Sequence, residues 1–174
     1  RGPHNAENIL AALAVGHVLR VPLEEMTEIV KSFSAGPHRF ETVAEIGGVR
    51  VYDDFAHHPT AIAETLGALR LAHPEARVWA VFEPRSNSSR RAVFQQGFTD
   101  ALAKADAVAL SAVFRKENDP LKPEEMLSTD RMVSDLVARK IPAWTEAGPD
   151  EILARLGGEL REGDVVLCMS NGAF

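Results

Sequence analysis

The chain has 174 residues, 45% of them apolar and 25% charged, with 12 glycines and 10 prolines, a composition near the globular average that excludes collagenous, disordered and membrane-spanning readings. Its formal charge of −6 argues against a nucleic-acid partner, because binding a phosphate backbone needs a basic face. Cys168 is the sole cysteine, so no internal disulfide can form and a reducing compartment is expected.

Residues 5–20 place Leu10, Leu13, Ala14 and Val18 at helical spacing in an alanine-rich stretch, which predicts a buried helix stopped by Pro22. A second helix is predicted over 23–33, with Leu23, Met26, Val30 and Phe33 on one stripe. Ser34-Ala35-Gly36-Pro37 breaks it and is the best domain boundary in the chain. The period then changes from helical to alternating. Segments 40–46 and 49–52 read as strands joined by Gly47-Gly48, whose freedom at positive φ suits a two-residue hairpin turn. From Pro59 onward helices and strands alternate: helices over about 60–72, 89–104, 130–140 and 150–160, strands over 78–82, 107–110, 141–145 and 164–169. The expected fold is α/β: an open, mainly parallel sheet with helices on both faces and an antiparallel N-terminal hairpin.

Each apolar strand runs into polar residues: Asp53 and Asp54, Glu83 and Arg85, Ser111, Thr145 and Glu146, then Ser170 and Asn171. In open α/β sheets ligands bind outside the carboxyl ends of the strands, so these residues are expected to line one rim. The densest cluster is Asp53-Asp54-Phe55-Ala56-His57-His58-Pro59. Two carboxylates and two imidazoles can hold ribose hydroxyls, shuttle protons or bind a metal; the plainer alternative is a helix cap with surface histidines. Adjacent side chains point in different directions, so no metal is assigned to them. The segment Glu83-Pro84-Arg85-Ser86-Asn87-Ser88-Ser89-Arg90-Arg91 sets three guanidiniums near a predicted helix start, an arrangement suited to a carboxylate or phosphate. Asn5 and Asn8 share one side of the first turn of the first helix, where an amide either caps the helix or matches the edge of adenine. Arg39 follows the break and belongs either to an interdomain cleft or to a surface ion pair. No G-x-x-x-x-G-K-[ST] loop and no G-x-G-x-x-G occurs, so these residues lack a glycine-rich grip on a triphosphate.

The runs G-P-H-N-A-E-N-I-L-A-A, H-R-F-E and D-D-F-A-H-H-P-T-A-I, in this order and spacing, resemble the Mur ligases. That family comprises ATP-dependent, ADP-forming amide ligases of bacterial peptidoglycan synthesis, cytoplasmic, with a UDP-substrate domain, a central ATPase domain and a Rossmann-like C-terminal domain. F-E-P-R-S-N-S-S-R-R and the terminal M-S-N-G are most similar to the branch that joins UDP-N-acetylmuramate to the recycled tripeptide L-alanyl-γ-D-glutamyl-meso-diaminopimelate. The L-alanine-adding branch is the alternative, and a non-catalytic peptide- or anion-binding module is the reading from a different class.

The resemblance implies that residues 1–35 are the helical tail of the central ATP-binding domain and 36–174 the C-terminal domain. It places Asn5 and Asn8 at adenine, Arg39 at the nucleotide phosphates, Asp54 at the ribose, His57 and His58 beside the incoming amine, and Arg85, Ser170 and Asn171 around the peptide. It implies ATP and Mg2+ as cofactors, held mainly outside this segment, and an acyl-phosphate mechanism. The chain, which opens without a methionine and carries no signal peptide or apolar run long enough to span a membrane, is expected to be a piece of a longer polypeptide, inactive alone, with upstream domains as partners and neither nucleic acid nor membrane.

Overall fold

In the computed structural model, which describes residues 3–33, 36, 38–115 and 119–172, helices α1 (Pro3–Val18) and α2 (Leu23–Ser32) form a hairpin. The two helices touch where Gly16 faces the buried Met26: a Cβ on Gly16 would collide with the Met26 sulfur. The expectation of a buried first helix is not met. Leu10, Val15 and Val18 are exposed, because the main packing partner of α1 within this chain is the short, amphipathic α2. The predicted break involves residues 34, 35 and 37, which lie outside the described residues, so the expected boundary after residue 35 is not located.

The remaining chain alternates as its periodicity predicts: β1 (Glu41–Ile46), β2 (Val49–Asp54), α3 (Pro59–Ala72), β3 (Val78–Phe82), α4 (Gln95–Leu102), β4 (Ala107–Ser111), α5 (Thr129–Ala138), β5 (Ala143–Glu146), α6 (Pro149–Glu159) and β6 (Val165–Met169). Gly47 and Gly48, at φ +58° and +76°, turn β1 antiparallel onto β2, as type I′ geometry demands. All other pairings are parallel, in the order β1-β2-β6-β3-β4-β5. The last strand is therefore central, with Tyr52 opposite Leu167 on one side and Ala80 opposite it on the other.

Alternation along β3 sends its side chains to two cores. Val78, Ala80 and Phe82 pack under Ile62, Leu66 and Leu69 of α3, Phe98 and Leu102 of α4, and Met132 and Leu136 of α5. Trp79 and Val81 pack on the other face with Trp144 and with Ile152 and Leu156 of α6. Strands covered on both faces read as continuous apolar runs, which is why β3, β4 and β6 were visible in the sequence. The helix predicted over 89–104 is shorter than expected. Ser86 Oγ accepts from Ser89 N (2.9 Å) and bonds the Ser88 and Ser89 hydroxyls, a local alternative to helical pairing, so a 3-10 turn begins only at Ala92 and α4 at Gln95. Burial pushes the Cys168 thiol up to about 12, with Asp53 adding to the rise, which leaves it inert at neutral pH. Among the described residues no helix is long and apolar enough to cross a membrane.

Candidate functional site

The carboxyl ends of β2, β6 and β3 meet at one rim, joined by a chain of hydrogen bonds. Ser170 N donates to the Asp54 carbonyl (3.3 Å). The Ser170 hydroxyl donates to Glu83 Oε2 (2.6 Å) and accepts from Gly172 N (3.0 Å). Glu83 and Ser170 are both buried, and the other Glu83 oxygen takes a bond from Arg85 (3.3 Å). The Arg85 guanidinium lies 4.6 Å from the centre of the Phe114 ring. Its stem passes so close to Gly172 that a Cβ there would sit 2.7 Å from Arg85 Cδ. Beside it, Asn171 Oδ1 is buried without a hydrogen-bond partner among the described residues, as is Thr145 Oγ1 near the end of β5. A buried acceptor left unpaired costs about 1–3 kcal/mol, which a donor on a ligand would recover.

The cluster after β2 is arranged differently. Asp54 is buried; one oxygen accepts from Phe40 N (2.8 Å), the other from Ala56 N (2.8 Å) and Thr65 Oγ1 (3.4 Å). Burial pushes its carboxyl above the ordinary value, opposed by the Ala56 and Phe40 N–H groups, by Arg39 and by the Thr65 hydroxyl. Asp53 pairs with His38, and that carboxylate holds the imidazole above its usual range. His57 Nδ1–H donates to the Phe55 carbonyl (2.8 Å), whereas His58 Nδ1 accepts from Thr60 N (3.4 Å) as the N-cap of α3. In the neutral form these bonds select opposite tautomers: the lone pair on Nε2 for His57 and the proton on Nε2 for His58. Pro59 opens α3, as expected. Among the described residues no three His, Cys, Asp or Glu side chains converge as metal ligands, so the four polar residues of this cluster form no ligand set.

Arg39 is exposed, 5.9 Å from the Phe55 ring centre, on the 38–40 turn that Asp54 holds from below. Asn5 and Asn8 are exposed one turn apart on α1, a helix that contributes to neither core of the sheet. Asp54, His57, Arg85, Ser170 and Asn171 therefore share the rim region, and α1 carries its two asparagines separately. The expectation of three guanidiniums at a helix start is corrected. Arg90 is fully buried, bound to Asp119, to the Phe114 carbonyl (3.1 Å) and to Asn87 Oδ1 (3.4 Å). Arg91 makes a backbone bridge to Met126, and Arg85 alone of the three reaches the rim. Sequence reasoning missed Phe114, which sits between Val113 and Arg115 with no local sign that it would meet Arg85.

A family profile for the Mur ligase, glutamate ligase domain matches residues 38–172. The UDP-N-acetylmuramate–L-alanyl-γ-D-glutamyl-meso-2,6-diaminoheptandioate ligase of Haemophilus influenzae is 37% identical over 99% of this chain and 36% of its own length. The UDP-N-acetylmuramate–L-alanine ligase of Xanthobacter autotrophicus is 35% identical over 99% and 36%. This chain thus spans about a third of the curated relatives it matches. Among solved structures, a murein peptide ligase from Psychrobacter arcticus superposes with a TM-score of 0.76 at 26% identity, over 100% of this chain and 35% of that one.

Proposed function

Because the chain belongs to the Mur ligase family, as its C-terminal domain, we propose that it serves the tripeptide-adding reaction: the joining of UDP-N-acetylmuramate to L-alanyl-γ-D-glutamyl-meso-diaminopimelate in peptidoglycan recycling. Residues 1–35 then end the central ATP-binding domain and 36–174 form the lobe that closes on it. The observation that carries this reading is Arg85, held at the strand rim between Glu83 and the Phe114 ring. A fixed guanidinium with donors to spare is suited to a peptide carboxylate, and the orphaned Asn171 carbonyl oxygen beside it suits a peptide N–H.

The residues present fit a nucleotide. A carboxylate has about four acceptor sites, and Asp54 spends three on Phe40, Ala56 and Thr65, which leaves one for a ribose hydroxyl. Arg39 supplies an exposed cation for phosphates, and Asn5 and Asn8 supply paired amides for a base edge. ATP, when bound, supplies the activation of the acid substrate. Nothing in the described residues fits a magnesium cage, and no step is assigned to one. His57, with its lone pair on Nε2, accepts a hydrogen bond from the incoming ammonium or amine and orients it; His58 keeps α3 capped and the loop in register. Together these groups bring amine and acid into one geometry, the kind of positioning that supplies several kcal/mol of rate enhancement.

The test is phosphate release by the full-length ligase containing this chain, with ATP and UDP-N-acetylmuramate fixed and either the tripeptide or L-alanine varied. A kcat/KM at least tenfold higher for tripeptide is expected, and a reversed preference would assign the chain to the L-alanine branch, whose member matches almost as well. Replacing Arg85 with Ala should raise KM for the tripeptide roughly ten- to a hundredfold, the equivalent of a lost charge-assisted bond. An unchanged KM would remove Arg85 from its role.

A further inference from the structure

We infer that Phe114 is a positioning residue for Arg85, and that the ion pair of the buried Arg90 with Asp119 is the latch that holds it in place; this rests on the reading of Arg85 as a carboxylate-binding group. After β4, Ala112 N donates to the Glu146 carbonyl (2.8 Å) and Val113 packs against the core, but Phe114 itself is held over the rim by fewer contacts. Phe114 N donates to the Pro84 carbonyl at a long 3.4 Å, and the residue is over a third exposed. What ties Phe114 down is Arg90. One guanidinium nitrogen donates to both the Phe114 carbonyl and Asp119, and a second reaches Asn87. The backbone of Arg90 is held as well, its N–H by Ser86 and its carbonyl by Leu127 N (2.8 Å). Asp119 in turn accepts from Leu121 N (3.2 Å). One fully buried side chain thus ties the segment that carries Arg85 to the segment that carries Phe114.

The consequence falls on Arg85. Its side chain is 39% exposed, and a free surface arginine samples many rotamers before it binds. Here Glu83 takes one of its donors, Gly172 leaves room for its stem, and Arg85 Cζ lies over the Phe114 ring, 4.6 Å from its centre. An aromatic face attracts the cation without using any of its N–H groups, so the remaining donors stay available while the plane is fixed. That division of labour distinguishes a platform from a competing partner. A second carboxylate in the position of Phe114 would neutralise the group it held.

The experiment is a double-mutant cycle in the full-length ligase, with the tripeptide as the varied substrate. Phe114→Leu keeps an apolar side chain at a partly exposed site and is expected to fold. In the Arg85 background it should raise KM for the tripeptide about fivefold, as loss of an exposed cation–π contact implies. Values of kcat and of KM for ATP and UDP-N-acetylmuramate should hold, and Phe114→Tyr should restore the tripeptide KM. In an Arg85→Ala background the same Phe114→Leu change should do nothing. Asp119→Asn, which loosens the latch, should follow the same pattern. Equal effects of Phe114→Leu in both backgrounds, or an unchanged KM in the first, would overturn the inference while leaving Arg85 as a binding group. An Arg85→Ala enzyme with an unaltered tripeptide KM would overturn both.

Discussion

Two segments flank the central strand β6, and they spend their polar side chains in opposite ways. After β2, Asp54, His57 and His58 bond mostly to nearby backbone: Ala56 N, the Phe55 carbonyl and Thr60 N, with Phe40 N and Thr65 a little farther away. After β3, Glu83 reaches Ser170, 87 residues on, and Arg90 reaches Asp119, 29 residues on. The first segment is dense in chemistry and largely consumed by its own loop; the second is sparser and builds its site across chain segments. Density of functional residue types in a sequence is therefore a poor guide to how much of that chemistry remains for a ligand.

The contrast predicts unequal costs of mutation. The largest belongs to the cross-segment latch: Arg90→Met should destabilise the chain by about 3–5 kcal/mol in urea titrations, because it removes the fully buried cation of an ion pair that joins two loops. A loss below about 1 kcal/mol would mean that the loops hold without the ion pair. Asp54→Asn should cost less, about 1–2 kcal/mol near neutral pH, and its signature is a pH dependence. Burial raises the Asp54 carboxyl above 3.8, so a proton-linked contribution, added to that of its hydrogen bonds, is complete below the unfolded-state value and is lost as pH rises through the raised native value. For Asp164 burial is outweighed by Arg77 and by the Arg161 N–H, and its carboxyl lies below 3.8; its contribution is present above that value and is lost as pH falls through the lowered one. On acidification towards 3.8, wild type should gain stability relative to Asp54→Asn and lose it relative to Asp164→Asn. Parallel curves for the two variants would refute the assignment of opposite shifts. The smallest effect is expected at His58, whose cap bond is long at 3.4 Å. His58→Ala should lower stability by about 0.5 kcal/mol, at the foot of the range for N-caps, with thermal unfolding as the readout.

Much of the fold was legible because it is written in local periodicity. Gly47-Gly48 announced the hairpin, and the apolar runs of β3, β4 and β6 announced strands covered on both faces. What escaped depends on distant partners. Nothing local marks β6 as central, since its Val-Val-Leu run would suit any interior position. The serine network at 86–89 shortened a helix that the spacing of Phe94, Phe98 and Leu102 had extended. The exposed α1 shows the limit of composition, because an alanine- and leucine-rich helix is buried only if something in the chain covers it. At the site, strand-end placement brought Asp54, Glu83, Arg85, Ser170 and Asn171 to one rim by a general rule of parallel sheets. The separate fates of Arg85 and Arg90, five residues apart, were set by Phe114 and Asp119 and had no signature of their own.

The order of the strands also constrains how the molecule is made. During synthesis the β1–β2 hairpin and the β3–β4–β5 trio emerge from the ribosome well before residues 165–169, which must slot between them. Until then each half offers an open edge able to recruit a foreign strand. Ser170 and Asn171 follow directly on that insertion, so no nascent or truncated chain ending before them has the Ser170–Glu83 bond that ties the strand ends together.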